Sequence, residues 1–358
     1  MTIIYFILIL GVVIFVHELG HFIFAKKAGI YVYEFALGMG PRIFKHKRKK
    51  KIKDKNGKIS YVDDETIYSI RLFPIGGFVQ MAGEEVEPDE NVPENMRFQS
   101  KSWVAKLLTV SAGVIFNFIL AIIIFFIIGL CNGVMLNSTK LTNIDATKYP
   151  TLQEGDRVVK VAGAKIRNHD RLVLELHVQD TKEFTMQVKH ADGTIQNVKV
   201  KAEEVYEDGE LLGYDYGFEI TGDARNDLMG AIHFAFGKFC STIEQMFFTL
   251  VYLFNGTLSL KMLSGPIGIY NIVGVAAQQQ DVLISILFLI AIISINVGFI
   301  NFLPLPAFDG GRIIFLIIEK IKGKPVDPKI ENTIHNVAFI LLMILMVYIT
   351  YNDILKFF

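Results

Sequence analysis

Little in this chain could cross-link it. Among its 358 residues are only two cysteines, Cys131 and Cys240, far apart and in apolar surroundings, which excludes a disulfide framework and a cysteine-built metal site. Excess charge of either sign is also missing, since 36 Lys and Arg balance 36 Asp and Glu. Net charge therefore gives no reason to expect nucleic acid or an acidic partner. The first apolar run lacks both a basic leader and a small-residue cleavage site, so it reads as a retained segment rather than a signal peptide. Abundance lies elsewhere: 52% of the residues are hydrophobic. The length would allow two soluble domains, but that share points to a membrane protein.

The apolar residues fall into runs long enough to span a bilayer. They predict transmembrane helices at residues 2–25, 104–130, 282–302 and 335–351. Residues 30–100 are polar and predict β-hairpins. Their basic stretch from Lys45 to Lys53 leads to Asn56-Gly57, a favoured two-residue turn. No aromatic residues interleave these charges, which favours anionic headgroups over nucleic acid. Between Thr66 and Met81, apolar and polar residues alternate around Pro74 and Gly76-Gly77, which predicts two short strands joined by a tight bend. This is either a surface hairpin or an edge strand dipping toward a site. Residues 134–222 form short β-like runs with one helical stretch, a compact β-rich domain of about ninety residues. Its His169, His177 and His190 have no ligand spacing. Residues 226–254 read as an amphipathic helix lying on the interface, because His233, Lys238, Glu244 and Gln245 interrupt its apolar face. Beyond it, Ser264-Gly265-Pro266 breaks the chain, and Lys320, Lys322 and Lys324 mark a basic loop before the last span. Basic residues flank the loops after the first and third spans, which places both loops in the cytoplasm and the β-rich domain with both termini outside.

One pentapeptide interrupts the first span: His17-Glu18-Leu19-Gly20-His21. Residues four apart share a helix face, so two imidazoles can reach one ion while Glu18 stands beside them as a base. Charged and polar groups at membrane depth are costly and are functional by default. A catalytic zinc needs a third protein ligand. Asp309 is the candidate, because it follows Pro304 and Pro306 at the end of an apolar span, where freed backbone groups are tolerated only beside a buried, hydrated cavity. On Gly113 and Asn117, four apart on the second span, the reading is close helix packing with an added role in supporting the site.

These motifs together resemble the site-2 protease family of intramembrane zinc metalloproteases, in its bacterial branch, over essentially the whole chain. The pentapeptide is similar to the family's first motif. Asn301 to Gly310 is similar to its N-x-x-P-x-P-x-x-D-G motif, with Phe308 where Leu is usual. Gly38-Met39-Gly40-Pro41, Pro74-Ile75-Gly76-Gly77 and Ser264-Gly265-Pro266-Ile267-Gly268 also match. The resemblance implies zinc held by His17, His21 and Asp309, with Glu18 as catalytic base and Asn301 holding substrate backbone or oxyanion near the metal. It implies a multi-pass protein of the bacterial cell membrane that cuts the transmembrane segments of single-span proteins, such as anti-sigma factors or remnant signal peptides. The expected architecture is an α-helical polytopic membrane protein with membrane-associated β-hairpins. One extracytoplasmic PDZ-like α+β domain covers residues 134–222, where some relatives have two in tandem. Residues 1–133 and 281–358 then form the two catalytic halves, and residues 223–280 join them. Two other classes predict different features. A catalytically dead scaffold would not need its four site residues, and a CaaX-type protease would carry more spans and a glutamate ligand.

Overall fold

In the computed structural model of the chain, four helices among the described residues are long and apolar enough to cross a membrane: Thr2–Lys27, Trp103–Cys131, Val282–Phe302 and Lys329–Leu355. With its β-sheets, this makes the chain a polytopic membrane protein. The structure describes residues 1–53, 59–84, 92–132, 134–135, 138–179, 183–207, 210–222 and 224–355. The expected turn at Asn56-Gly57 lies outside them. The chain divides into two units, Met1–Ala121 with Leu263–Phe358, and Ile122–Met262.

Helix α1 (Thr2–Lys27) ends on Lys26 and Lys27, where cations suit both a helix C-terminus and a membrane boundary. Strands β1 (Val32–Lys53) and β2 (Ile59–Met81) follow and pair antiparallel. Residues of β1 near Phe35 are bracketed on both sides by β2. Phe35 pairs with both Tyr68 and Val79, and Leu37 with both Ile70 and Gly77. The chain therefore doubles back between these segments, at the bend expected around Pro74 and Gly76-Gly77. Glu34, fully buried in this sheet, accepts from Ser69 Oγ at 2.5 Å, from Arg71 Nη2 at 2.8 Å and from Arg42 Nε at 3.1 Å. Helix α2 (Trp103–Asn132) completes this stretch.

The second unit begins within α2. It holds β3 (Val134–Met135), β4 (Lys140–Thr142), β5 (Arg157–Val161), β6 (Ala164–Lys165), α3 (His169–Gln179), β7 (Phe184–Lys189), β8 (Ile195–Val200), β9 (Glu203–Glu207), β10 (Glu210–Asp215), β11 (Glu219–Thr221) and β12 (Ala224–Arg225). Its main sheet runs β11-β4-β5-β7-β8, with β6 on β5. Along β7, Phe184, Met186 and Val188 point inward and alternate with outward residues, the period-two pattern of a half-buried strand. They meet Leu141, Val158, Val161 and Leu172 in one core.

Helix α4 (Leu228–Phe254) is capped by Asp227, which accepts from Gly230 N. Several of its polar residues meet side chains of the same unit. Lys238 Nζ donates to Asp170 Oδ1 at 2.6 Å, Glu244 accepts from Asn168 Nδ2 at 2.6 Å, and Tyr252 Oη accepts from Arg171 Nη2 at 2.9 Å. The Arg171 guanidinium also lies 3.3 Å from the Phe248 ring centroid. The helix is amphipathic because it grips α3.

The chain returns to the first unit with α5 (Pro266–Ala276), α6 (Val282–Phe302), α7 (Asp309–Lys322) and α8 (Pro328–Leu355). The break expected at Ser264-Gly265-Pro266 falls just before α5, with Pro266 in its first turn, because proline lacks only an N–H that a first turn leaves free. Two of these helices, α7 and α8, differ from the sequence expectation. The expected basic loop is the last turn of α7. Its Lys320 and Lys322 suit a helix C-terminus, and Gly323 closes it in a left-handed conformation. The last helix also starts earlier than the apolar run, at Pro328.

Candidate metal centre

The two imidazoles of α1 point to one place because they sit one turn apart on one face. His17 and His21 are each 9% exposed, and their Nε2 atoms are 3.2 Å apart. Asp309, the first residue of α7, brings Oδ2 to 3.3 Å from both. These three form a group able to hold a metal ion. Glu18 is half-buried beside them, and its Cγ lies against Gly77 of β2, where a methyl group would sit 3.0 Å away. Asn301 lies in the last turn of α6, half-buried. Among the described residues no hydrogen bond joins it to the imidazoles or to Asp309.

The donor set can be tested against zinc, the ion that best suits two imidazoles and a carboxylate. Zinc–ligand bonds of about 2.0–2.1 Å in a tetrahedron put ligand atoms about 3.3–3.4 Å apart. The three separations of 3.2, 3.3 and 3.3 Å match that edge. Asp309 Oδ2 is buried and accepts no hydrogen bond among the described residues, although two ring nitrogens are close. Three donor atoms converging in this way, with one lone pair left over, fit a cation.

Neighbouring helices orient the rings. His21 Nδ1–H donates to the Thr109 carbonyl of α2 at 2.8 Å, which leaves Nε2 with a free lone pair. His17 Nδ1 lies 3.3 Å from the side-chain amide of Asn117. Asn117 Oδ1 is otherwise a buried acceptor without a donor. Turned toward the ring, it accepts from His17 Nδ1–H and frees Nε2 in the same way. Asn117 is held in turn from α6, where Ser294 Oγ donates to its carbonyl at 2.9 Å.

Glycines set these approaches. A methyl on Gly20 would sit 2.5 Å from the Ala112 carbonyl, so α1 and α2 touch backbone to backbone. One on Gly113 would enter the space of both imidazoles, and one on Gly310 would fall on the Leu303 carbonyl. Helix α7 is tied to α2 by Trp103 Nε1, which donates to Leu316 O at 2.7 Å, and by Lys106 Nζ with Glu319 at 2.7 Å. Asp309 is thus delivered by a helix whose first turn packs glycine against the preceding backbone and whose far end is anchored to α2.

Comparison with known proteins agrees with this geometry. The description of peptidase family M50 matches residues 5–345. The chain belongs to that family. A zinc metalloprotease RasP of Shouchella clausii is 31% identical to it, across 100% of this chain and 99% of that protein. Another RasP, from Bacillus licheniformis, is also 31% identical over the same shares. The regulator of sigma-W protease RasP of Bacillus subtilis is 29% identical, again over 100% and 99%. This M50 peptidase is therefore a membrane zinc metalloprotease of the site-2 protease type.

Sequence reading brought together His17, Glu18, His21 and Asp309, with Gly113 and Asn117 as support. It missed the Thr109 carbonyl and Ser294, whose roles depend on neighbouring helices. It also missed Gly20 as a contact point, although a glycine inside a membrane-embedded metal motif is itself a signal of close approach.

Proposed function

We propose that His17, His21 and Asp309 hold one catalytic zinc and that the protein hydrolyses peptide bonds inside transmembrane segments of single-span membrane proteins. The observation that carries this reading is the convergence of three buried donor atoms at 3.2–3.3 Å on helices apolar enough to span a bilayer. A zinc held there supplies Lewis acidity to the scissile carbonyl and lowers the pKa of water toward neutrality. Glu18 takes the proton of the attacking water. As the carbon–nitrogen bond breaks, Glu18 hands that proton to the departing amine. Asn301 steadies the substrate backbone or the developing oxyanion. An intact substrate helix hides its carbonyls in its own hydrogen bonds, so the segment must unwind to be cut. The strand that carries Gly77 runs beside Glu18 and offers a backbone edge for an extended substrate.

Residues 134–222 are read as a PDZ-like domain outside the bacterial cell membrane, on the strength of the basic loops. The sigma-W regulator among the relatives favours an anti-sigma factor as substrate class. The test is cleavage of a model single-span substrate in detergent by wild type, by Glu18→Gln and by wild type with a zinc chelator. Activity that persists in both of the latter rules out the zinc protease mechanism.

A further inference from the structure

The turn that delivers Asp309 contains one strained residue. Ala307 has φ = +76°, left-handed backbone that a residue with a Cβ enters only at a cost and that persists where its surroundings hold it. The backbone N–H of Ala307 donates to His335 Nδ1 at 2.8 Å. His335 lies a full turn inside α8, with its ring 5.5 Å from that of Phe315 on α7. A ring nitrogen that accepts a hydrogen bond carries no proton, so the proton of the neutral ring sits on Nε2. The Glu331 carboxylate is 3.9 Å from that nitrogen. The His335 side chain is only 16% exposed, held between the turn and Phe315 of α7.

We infer that His335 is a positioning residue. Its Nδ1 holds Ala307 in the left-handed conformation and so fixes where Asp309 presents its carboxylate. This rests on the reading of Asp309 as a zinc ligand. A ligand must be held to within a few tenths of an ångström, and Asp309 sits two residues after the strained position. Pro304 and Pro306 carry no N–H; Leu305 N–H and Phe308 N–H bond within the turn, to Leu303 O at 2.7 Å and Leu305 O at 3.3 Å, and the Ala307 N–H is the bond that ties the turn to α8. Among the described residues His335 bonds none of the metal donors; it acts through the backbone of the turn.

The experiment uses the full-length protein in detergent, with two readouts: zinc retained against a competing chelator, and kcat and KM for a model single-span substrate. In His335→Leu, zinc leaves more readily and kcat falls about tenfold, as expected for a lost buried hydrogen bond, while KM moves little. His335→Asn places an amide oxygen where Nδ1 sat and recovers most of both. Adding Ala307→Gly to His335→Leu also raises both, because glycine adopts the left-handed backbone without help. A leucine variant that keeps wild-type zinc retention and kcat overturns the inference. So does an asparagine variant no better than leucine, or a glycine that fails to raise the leucine variant. Asp309→Ala runs alongside. If it loses zinc while His335→Leu is unchanged, only the positioning role falls. If Asp309→Ala keeps zinc and cleavage, the ligand assignment itself is wrong.

Discussion

Gly113→Ala separates metal binding from folding. The added methyl would lie 2.7 Å from His17 Cε1 and 2.8 Å from His17 Nε2, and closer still to His21 Nε2. Ordinary contact needs about 3.5 Å, so the His17 ring must retreat by about 0.7–0.8 Å and the His21 ring by more. Metal sites tolerate errors of only about 0.2 Å in ligand distance, so the displaced pair no longer meets Asp309 on one ion. The cost to the fold is far smaller. Overpacking one methyl costs about 1–3 kcal/mol, while replacing glycine in a helix interior returns about 1 kcal/mol. The expected protein is helical, monodisperse and inserted, carries much less than one zinc per chain, and has no detectable cleavage. Zinc by elemental analysis, circular dichroism and a cleavage assay on the same preparation decide it. A Gly113→Ala protein with full zinc and full activity refutes the packing argument. Loss of helix along with zinc refutes the separation.

Glu18→Gln keeps the size of the side chain and removes its basicity; zinc content should hold while turnover falls about 10²–10⁴-fold, with the variant trapping substrate. Glu34 gives a pH dependence. Burial pushes its carboxyl up, but hydrogen bonds from Arg42, Ser69 and Arg71 outweigh this and bring it down to about 2 from 4.5. A depressed carboxylate stabilises the folded sheet above its unfolded pKa and loses that contribution as pH falls toward 2. Amide protection in β1 and β2 should therefore be flat from pH 7 to 5 and decline from about 4.5 downward; Glu34→Gln should lower protection at neutral pH and flatten that decline. For topology, a membrane-impermeant thiol reagent should reach a cysteine engineered at Asp192 in intact cells and miss one at Lys50. The reverse would invert the orientation.

What could be read from residue order was whatever is local. The metal motif is legible because a helix turn converts a spacing of four into one face, and the spans are legible because bilayer thickness converts length into a constraint. Asp309 was reachable because two prolines end a span beside a carboxylate. The missed features depend on partners distant in the chain. Trp103 and Lys106 find Leu316 and Glu319 only after folding, so α7 looked like a basic loop. The partners of Lys238 and Glu244 on α4 were not legible because Asp170 and Asn168 lie about seventy residues earlier. The doubling of β2 around β1 left a trace at Pro74 and Gly76-Gly77, and of the two readings of that segment the edge strand near the site is the one that places Gly77 beside Glu18.

The same logic explains why the site contains so many residues without side chains. Helices in a bilayer gain nothing from hiding apolar surface from each other, since lipid is equally apolar; they associate through close contact and hydrogen bonds. At this site both devices are used together. Gly20 and Gly113 bring α1 onto α2, and Thr109 O and Asn117 then meet the rings that the approach exposes. Gly298 lets α6 close on Phe118, and Ser294 one turn earlier bonds the Asn117 carbonyl. Each polar contact to an imidazole or its support thus lies within a helical turn or so of a glycine that makes the distance reachable. The hydrogen bonds orient the imidazoles, but the glycines decide whether those bonds can form. For that reason, adding a single methyl at Gly113 should be as damaging to metal binding as removing a ligand.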